Sequence, residues 1–348
     1  MSYSSVSPTD DYFKNIDISD KIAYIINKLQ KNKIFISKNK NIWQSRYWDK
    51  GIGAVLIEGY FIDDNNQKIK SVLKIQGSKP LYSEPELIER FNQQNNSNIL
   101  KLPKTLYQSE WDNKLNLEYY IFEKIEAKQI IKPYQLATQK QIREFYNVWL
   151  ELKNKALYQP FIPKPKNYDS YWDRFNKWRT IRLNHNLKDL IDKEQDKRLL
   201  IIAKKLSNIF EKYQLEFCHR HLSIYDIKKK GKNYYIFSNL FYGWSHPLYD
   251  SIFPFEWHIL GLSDFKNEEI YKQLYLWDTE RYQAITKSQQ NRTFYQNQLN
   301  KLHNLTIIER IIAALNLDIL MIQDYKKIKK MQNILTDYLN SKLKTIEI

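Results

Sequence analysis

Two histidines, His219 and His221, stand one residue apart and are followed by Asp226 in the run FCHRHLSIYDI (217–227). A neutral imidazole with a pKa near ~6.5 can act as a general base. A carboxylate is a hard-oxygen ligand of the kind Mg2+ requires. His-x-His can also chelate zinc, but a third and fourth ligand at convincing spacing is missing, so a zinc site is set aside. Further on, YYIFSNLFYGWSHPLYD (234–250) carries Ser238, Asn239, His246 and Asp250. Far upstream, VLKIQG places Lys74 on a strand, ahead of a segment bearing Glu84, Glu86 and Glu89. A strand lysine usually just faces solvent, so Lys74 gains meaning only in combination with the rest.

The elements that must position these groups follow from periodicity. A Ser-Asp start at Ser19 and the stripe Ile22, Tyr24, Ile25, Ile26, Leu29 predict a helix. Strands are expected over 53–63 and 68–77, joined as a hairpin through Asp63-Asp64-Asn65-Asn66. A helix over Glu84–Gln94 follows, with Pro85 at an early position, then strands near 104–110 and 116–124. From about 134 the pattern turns helical, over 140–157, 173–191 and 195–213, with a connector holding three prolines at 159–166. A short β-like section covers 217–242, and helices resume to the C-terminus. The expected organisation is a lead-in and helix (1–38), a strand-rich N-lobe (39–130) and a helical C-lobe (131–348).

Composition narrows the class. The 348 residues include 26 Tyr, 16 Phe and 9 Trp, enough apolar volume for two packed lobes and too much for a disordered chain. Only 7 Gly are present, so turns needing φ > 0 must be rare or carried by Asn. One cysteine, Cys218, permits no intrachain disulfide and reads as a small core residue beside Phe217. The first residues show neither the basic start nor the apolar run of a signal peptide, and no stretch approaches a membrane span; a cytoplasmic protein is expected. The net charge of +16 hints at a polyanion partner, but the basic runs, such as Lys228-Lys229-Lys230, are short and scattered. Solvated surface lysines are the expectation, with a basic, aromatic-rich nucleic-acid binder as an alternative.

These segments together resemble the aminoglycoside and choline phosphotransferases. The family's catalytic loop reads His-Gly-Asp-Leu-x-x-x-Asn-Ile, and a later strand brings Ile-Asp-Phe ahead of Gly-Trp-Gly-Asp-Pro-x-Tyr-Asp. Here His219, Leu222, Ile227, Gly243, Trp244, Pro247, Leu248, Tyr249 and Asp250 fall on that frame. The resemblance covers most of residues 40–265. It implies an α+β, two-lobed protein-kinase-like fold with a small antiparallel-sheet N-lobe and a larger, mainly helical C-lobe. It further implies a cleft in which Lys74 faces the loop, ATP and Mg2+ as cofactors, and a small hydroxyl-bearing acceptor. Lys74 would hold nucleotide phosphates, oriented by Glu86 or Glu89. Gly51 and Gly53 would form the phosphate loop, and the backbone from Glu123 to Ile125 would face the adenine. Aromatics of 158–185 (Tyr168, Tyr171, Trp172, Trp178) would line an acceptor pocket unless they are core.

The departures bear on chemistry. The catalytic Asp position is held by His221, the first metal position by Asp226 in place of Asn, and the second by Ser238, or by Asn239 if the hairpin is one residue longer. Losing the base type is survivable, since a base supplies perhaps ~10²–10⁴ in rate. Losing a metal carboxylate is more serious, because Mg2+ is held by only one or two. The resemblance with these changes reads as a pseudokinase or impaired relative. An active ATP-dependent small-molecule kinase using His221 and Asp226 in a rearranged site is the alternative.

Overall fold

The computed structural model describes residues 19–44, 54–77, 79–166, 170–184, 188–289, 298–322 and 324–346. Among the described residues no helix is long and apolar enough to cross a membrane. The chain divides into two compact units, one of residues up to Glu89 with Leu102–Glu126, the other of Arg90–Lys101 with Ala127 onward.

The first unit begins with α1 (Ser19–Lys31), followed by β1 (Phe35–Gln44), β2 (Ala54–Ile62), β3 (Lys68–Gln76) and the start of α2 (Glu84–Gln94). After β4 (Leu100–Lys101), which belongs to the second unit, β5 (Thr105–Gln108) and β6 (Glu118–Glu123) complete the sheet. The five strands run in the order β1-β2-β3-β6-β5, and each neighbouring pair is antiparallel. Strand alternation gives the sheet two faces. One carries Val55, Ile57, Leu73, Ile75, Tyr119 and Ile121, packed under Ile22, Ile25 and Leu29 of α1. Burying each such side chain is worth about 1.5–3 kcal/mol. The opposite face carries Leu56, Lys74 and Tyr120, which register across β2, β3 and β6. Asn supplies left-handed turns at Asn66, between β2 and β3 with φ 58°, and at Asn116, ahead of β6 with φ 53°. Lys33, Tyr134, Arg220, Ser238 and Leu248 adopt positive φ as well, so the expectation holds only in part. β1 was not specified by local pattern. Its residues hold few apolar side chains, and pairing with β2 fixes it as an edge strand.

The second unit contains β7 (Lys128–Gln129), α3 (Gln139–Glu151), α4 (Tyr171–Leu183) and α5 (Lys193–Phe210). These lead to β8 (Glu216–Cys218), β9 (Ile227–Lys230), β10 (Asn233–Ile236) and β11 (Gly243–Ser245). The helices α6 (Phe253–Leu260), α7 (Asn267–Gln289), α8 (Leu299–Asn316) and α9 (Tyr325–Leu343) follow. A capping box at Thr138 and Gln141 starts α3. α4 ends at Leu183, short of the expected 191, because Asn184 turns its side-chain amide onto the Thr180 carbonyl at 2.8 Å. The polar Asn-His-Asn run beyond is also a poor continuation for a helix. α8 is the central post, with Leu302 to Asn316 all buried. Its charged members are paired: Arg310 Nε lies 2.8 Å from Glu256 Oε2, and Glu309 lies 4.0 Å from Arg174. Tyr171 and Trp178 are core residues here, as is usual for large aromatics at helical spacing, while Trp172 stacks on Phe175; Tyr168 lies outside the described residues.

Candidate functional site

In the first unit, Lys74 donates to the carboxylate of Glu84, and both side chains are largely withdrawn from solvent, at 13% and 6% exposure. Glu86 and Glu89 do not meet Lys74. Helical periodicity explains the choice: Glu84, Leu87, Ile88 and Phe91 share the buried stripe of α2, while Glu86 is half-buried and Glu89 exposed. The inward stripe therefore selects Glu84, a signal that apolar spacing at 87, 88 and 91 already contained.

Beside this pair, Tyr120 donates its hydroxyl to Glu118. Burial pushes the Tyr120 hydroxyl and the Glu118 carboxyl up, the latter against the pull of Tyr120, Lys74 and Lys79. Gln76, across the strand pair from Glu118, is buried and its Nε2 has no hydrogen-bond partner. At the end of β6, the Glu123 N–H donates to the Lys104 carbonyl at 2.9 Å and the Lys124 N–H to that of Lys70 at 3.0 Å. Ile125 follows in irregular backbone. Gly51 and Gly53 lie outside the described residues.

In the second unit, the antiparallel pairing of β8 with β11 (Cys218 opposite Gly243) delivers the chain to His219. Asp250 closes the loop from below. Its Oδ2 accepts the His219 N–H at 2.7 Å, and its Oδ1 accepts the Arg220 N–H at 2.5 Å. Burial raises the Asp250 carboxyl, opposed by the backbone amides of His219 and Arg220. The ring of His219 lies with Nε2 2.9 Å from the Phe237 carbonyl. A carbonyl only accepts, so Nε2 carries the proton and Nδ1 accepts the His221 N–H at 3.4 Å. Burial lowers the His219 pKa, which favours this neutral ring. Arg220 takes the place of the motif's glycine yet keeps a left-handed backbone, φ 68°, at a cost of roughly 1–2 kcal/mol. Its side chain lies over Gly243, where a Cβ would come within 3.0 Å of Arg220 Cδ.

The β9–β10 hairpin sets the last part of the geometry. Gly231 turns it with φ 59°, and Ile227 pairs with Ile236. Asp226, just before Ile227, is thereby brought next to Phe237 and Ser238. The Ser238 hydroxyl donates to Asp226 Oδ1 at 2.5 Å from a left-handed backbone, φ 58°. Asp226 Oδ2 accepts both the N–H of Ser223 at 2.8 Å and its hydroxyl at 2.6 Å. Burial alone would raise the Asp226 carboxyl, but His221, His219 and Ser223 together hold it below its ordinary value. Asn239 turns away: its amide donates to the Ile236 carbonyl and its oxygen accepts the Tyr242 hydroxyl. Ser238, not Asn239, thus stands beside Asp226. Ser223 was missed in the sequence, although a serine three residues ahead of an aspartate is a common local hydrogen-bonding arrangement.

His221 places Nδ1 3.6 Å from Asp226 Oδ2, within ion-pair range but beyond a hydrogen bond. Its ring stacks on Phe241 at 4.6 Å between centroids and is flanked by Phe253 and Trp257. With 28% of its side chain exposed, it is a partly accessible imidazole backed by a carboxylate.

A divalent cation does not fit these donors. Asp226 is the single carboxylate at the two metal positions, and both its oxygens are engaged by protein donors. Among the described residues no group of three or more His, Cys, Asp or Glu side chains is placed to hold a metal ion.

No protein-family model matches the sequence, and a search of curated proteins finds no match. Solved structures do match. A choline kinase from Cryptosporidium parvum Iowa II superposes with a TM-score of 0.53 at 15% identity, covering 93% of this chain and 96% of that one. Amicoumacin kinase hAmiN, in complex with AMP-PNP, Ca2+ and Ami, gives 0.52 at 11% identity over 94% and 96%. The GDP and kanamycin complex of APH(2")-IIia gives 0.50 at 11% identity over 92% and 99%. These likenesses establish the fold: a kinase-like α+β architecture, with an antiparallel-sheet unit and a helical unit, shared with choline kinase and aminoglycoside phosphotransferases.

Proposed function

We propose that this chain is a pseudokinase of phosphotransferase fold, which binds a nucleotide or a small molecule and is impaired in phosphoryl transfer. The observation that carries the reading is the closed state of Asp226. Phosphoryl transfer depends on positioning and on metal neutralisation of phosphate charge, and the one carboxylate at the positions the family uses for metal already accepts three protein hydrogen bonds, with both oxygens engaged. The retained Lys74–Glu84 pair supports nucleotide binding, since a lysine held by a buried carboxylate is the phosphate-binding device of kinase-like folds. The similar structures solved in complex with AMP-PNP or GDP support the same ligand class. Glu123 and Ile125 are assigned to the adenine side and Gly51 and Gly53 to the phosphate loop, following the family pattern.

Thermal titration with ADP tests the reading. The wild-type chain is expected to be stabilised, and Lys74→Ala to lose most of that stabilisation, each measured against its own ADP-free melting temperature. A wild type unmoved by ADP would remove the nucleotide and leave a small-molecule ligand.

One observation favours a second reading. His221 occupies the base position and is backed by Asp226 at 3.6 Å, an arrangement suited to taking a proton from an acceptor hydroxyl. If the chain is an active kinase of this rearranged kind, Asp226→Ala abolishes turnover of a small hydroxyl-bearing substrate; unchanged turnover in that variant disposes of it.

A further inference from the structure

The environment of Asp226 carries a consequence for how a ligand is held. A carboxylate offers about four acceptor directions. At Asp226 three are taken by the Ser238 hydroxyl, the Ser223 hydroxyl and the Ser223 N–H, and His221 Nδ1 faces the Oδ2 side at 3.6 Å. The residue is only 5% exposed. A cation arriving here would find a single acceptor direction, on Oδ1, and could use more of the carboxylate only by displacing the serine hydrogen bonds. In return it would gain one carboxylate, with serine hydroxyls in place of a second.

We propose that Asp226 has been converted from a cation ligand into a closed hydrogen-bond acceptor, and that this chain takes its nucleotide as the free species rather than as a divalent-metal complex. The second half rests on the nucleotide reading above; the first does not. Two serines do the closing. Ser238 donates from the position where the family places a carboxylate, so the substitution removes one metal ligand and blocks the other. Ser223 holds Asp226 from the opposite oxygen through its backbone and side chain together. Asp250, the other buried aspartate near the loop, offers no substitute, since its two oxygens hold the amides of His219 and Arg220.

The test has two arms on the full chain. In the first, ADP affinity is measured by calorimetry in EDTA and in Mg2+. The two dissociation constants are expected to agree within about twofold. A tightening of about tenfold or more by Mg2+ that disappears in Asp226→Ala overturns the proposal. In the second, Mn2+ is titrated against the nucleotide-free chain and followed by electron paramagnetic resonance. Wild type is expected to leave the Mn2+ signal free. Ser238→Asp, which sets two carboxylates side by side, is expected to capture Mn2+ and to melt higher when it is added. Specific Mn2+ capture by wild type, lost in Asp226→Ala, overturns the closed carboxylate outright. Absence of ADP binding in both buffers sinks the nucleotide reading and the free-nucleotide claim with it, whereas the Mn2+ result still decides the state of Asp226. Should Ser238→Asp fail to fold, the wild-type Mn2+ titration alone gives that decision.

Discussion

The strand-rich unit and the helical unit hold their buried carboxylates in different ways. In the first, Lys74 keeps a buried carboxylate partner, Glu84, and the pair stands as a cation–anion unit on the sheet face opposite the apolar core. In the second, Asp226 has no lysine or arginine partner among the described residues; its neighbours are hydroxyls, an amide and an imidazole. Scaffold contacts around it persist, since Asp250 still holds the amides of His219 and Arg220. The difference teaches that one loop can hold two buried aspartates in separate ways, Asp250 by backbone amides and Asp226 largely by side-chain hydroxyls.

That contrast can be broken by stability measurements, beginning with the largest effect. Asp250→Ala strands one buried and one part-buried amide donor and is expected to cost about 3 kcal/mol in urea unfolding; a cost near zero would mean that Asp250 is not the scaffold of the loop. Glu84→Ala leaves the Lys74 charge without its partner, at about 3 kcal/mol. Replacing both by Met is expected to cost less than Glu84→Met alone, and a double variant worse than the single one would contradict the pairing. Asp226→Asn, which removes a charged acceptor from three donors, is expected to cost about 2 kcal/mol. Ser223→Ala, which deletes a single hydroxyl donor, should cost about 1 kcal/mol.

Acid dependence sharpens the comparison between the two aspartates. Asp226 has a lowered carboxyl in the fold, so its contribution is complete above the unfolded value near pH ~4 and is lost as pH falls through the folded one. Asp250 has a raised carboxyl because of burial. Its contribution is complete below pH ~4 and is lost as pH rises through the folded value. In a series of urea midpoints from acid to neutral pH, Asp226→Asn is expected to flatten the acid limb, and Asp250→Asn to remove a loss on the rising side. Identical pH profiles for the two variants would refute the distinction.

Much of the fold was legible in the chain. The stripe Ile22, Ile25, Leu29 announced α1, the alternation around Val55 and Leu73 announced the central hairpin, and the frame from His219 to Asp250 located the loop. β1 was not legible, because its pairing with β2 rather than its own apolar content defines it. The site was legible as residue types but not as partners. Glu84, Glu86 and Glu89 share one segment, and only the buried face of α2 separates them. The choice between Ser238 and Asn239 turned on the length of the β9–β10 hairpin, which the Ile227–Ile236 register fixes. The closing of Asp226 by Ser223 needed side-chain directions that spacing alone does not give.

The most direct test of the account is ATP consumption by the full chain with Mg2+, wild type and Asp226→Ala measured side by side in the presence of small hydroxyl-bearing acceptors. Rates at the buffer background in both are expected. A Mg2+-dependent rate in wild type that vanishes in Asp226→Ala would contradict it.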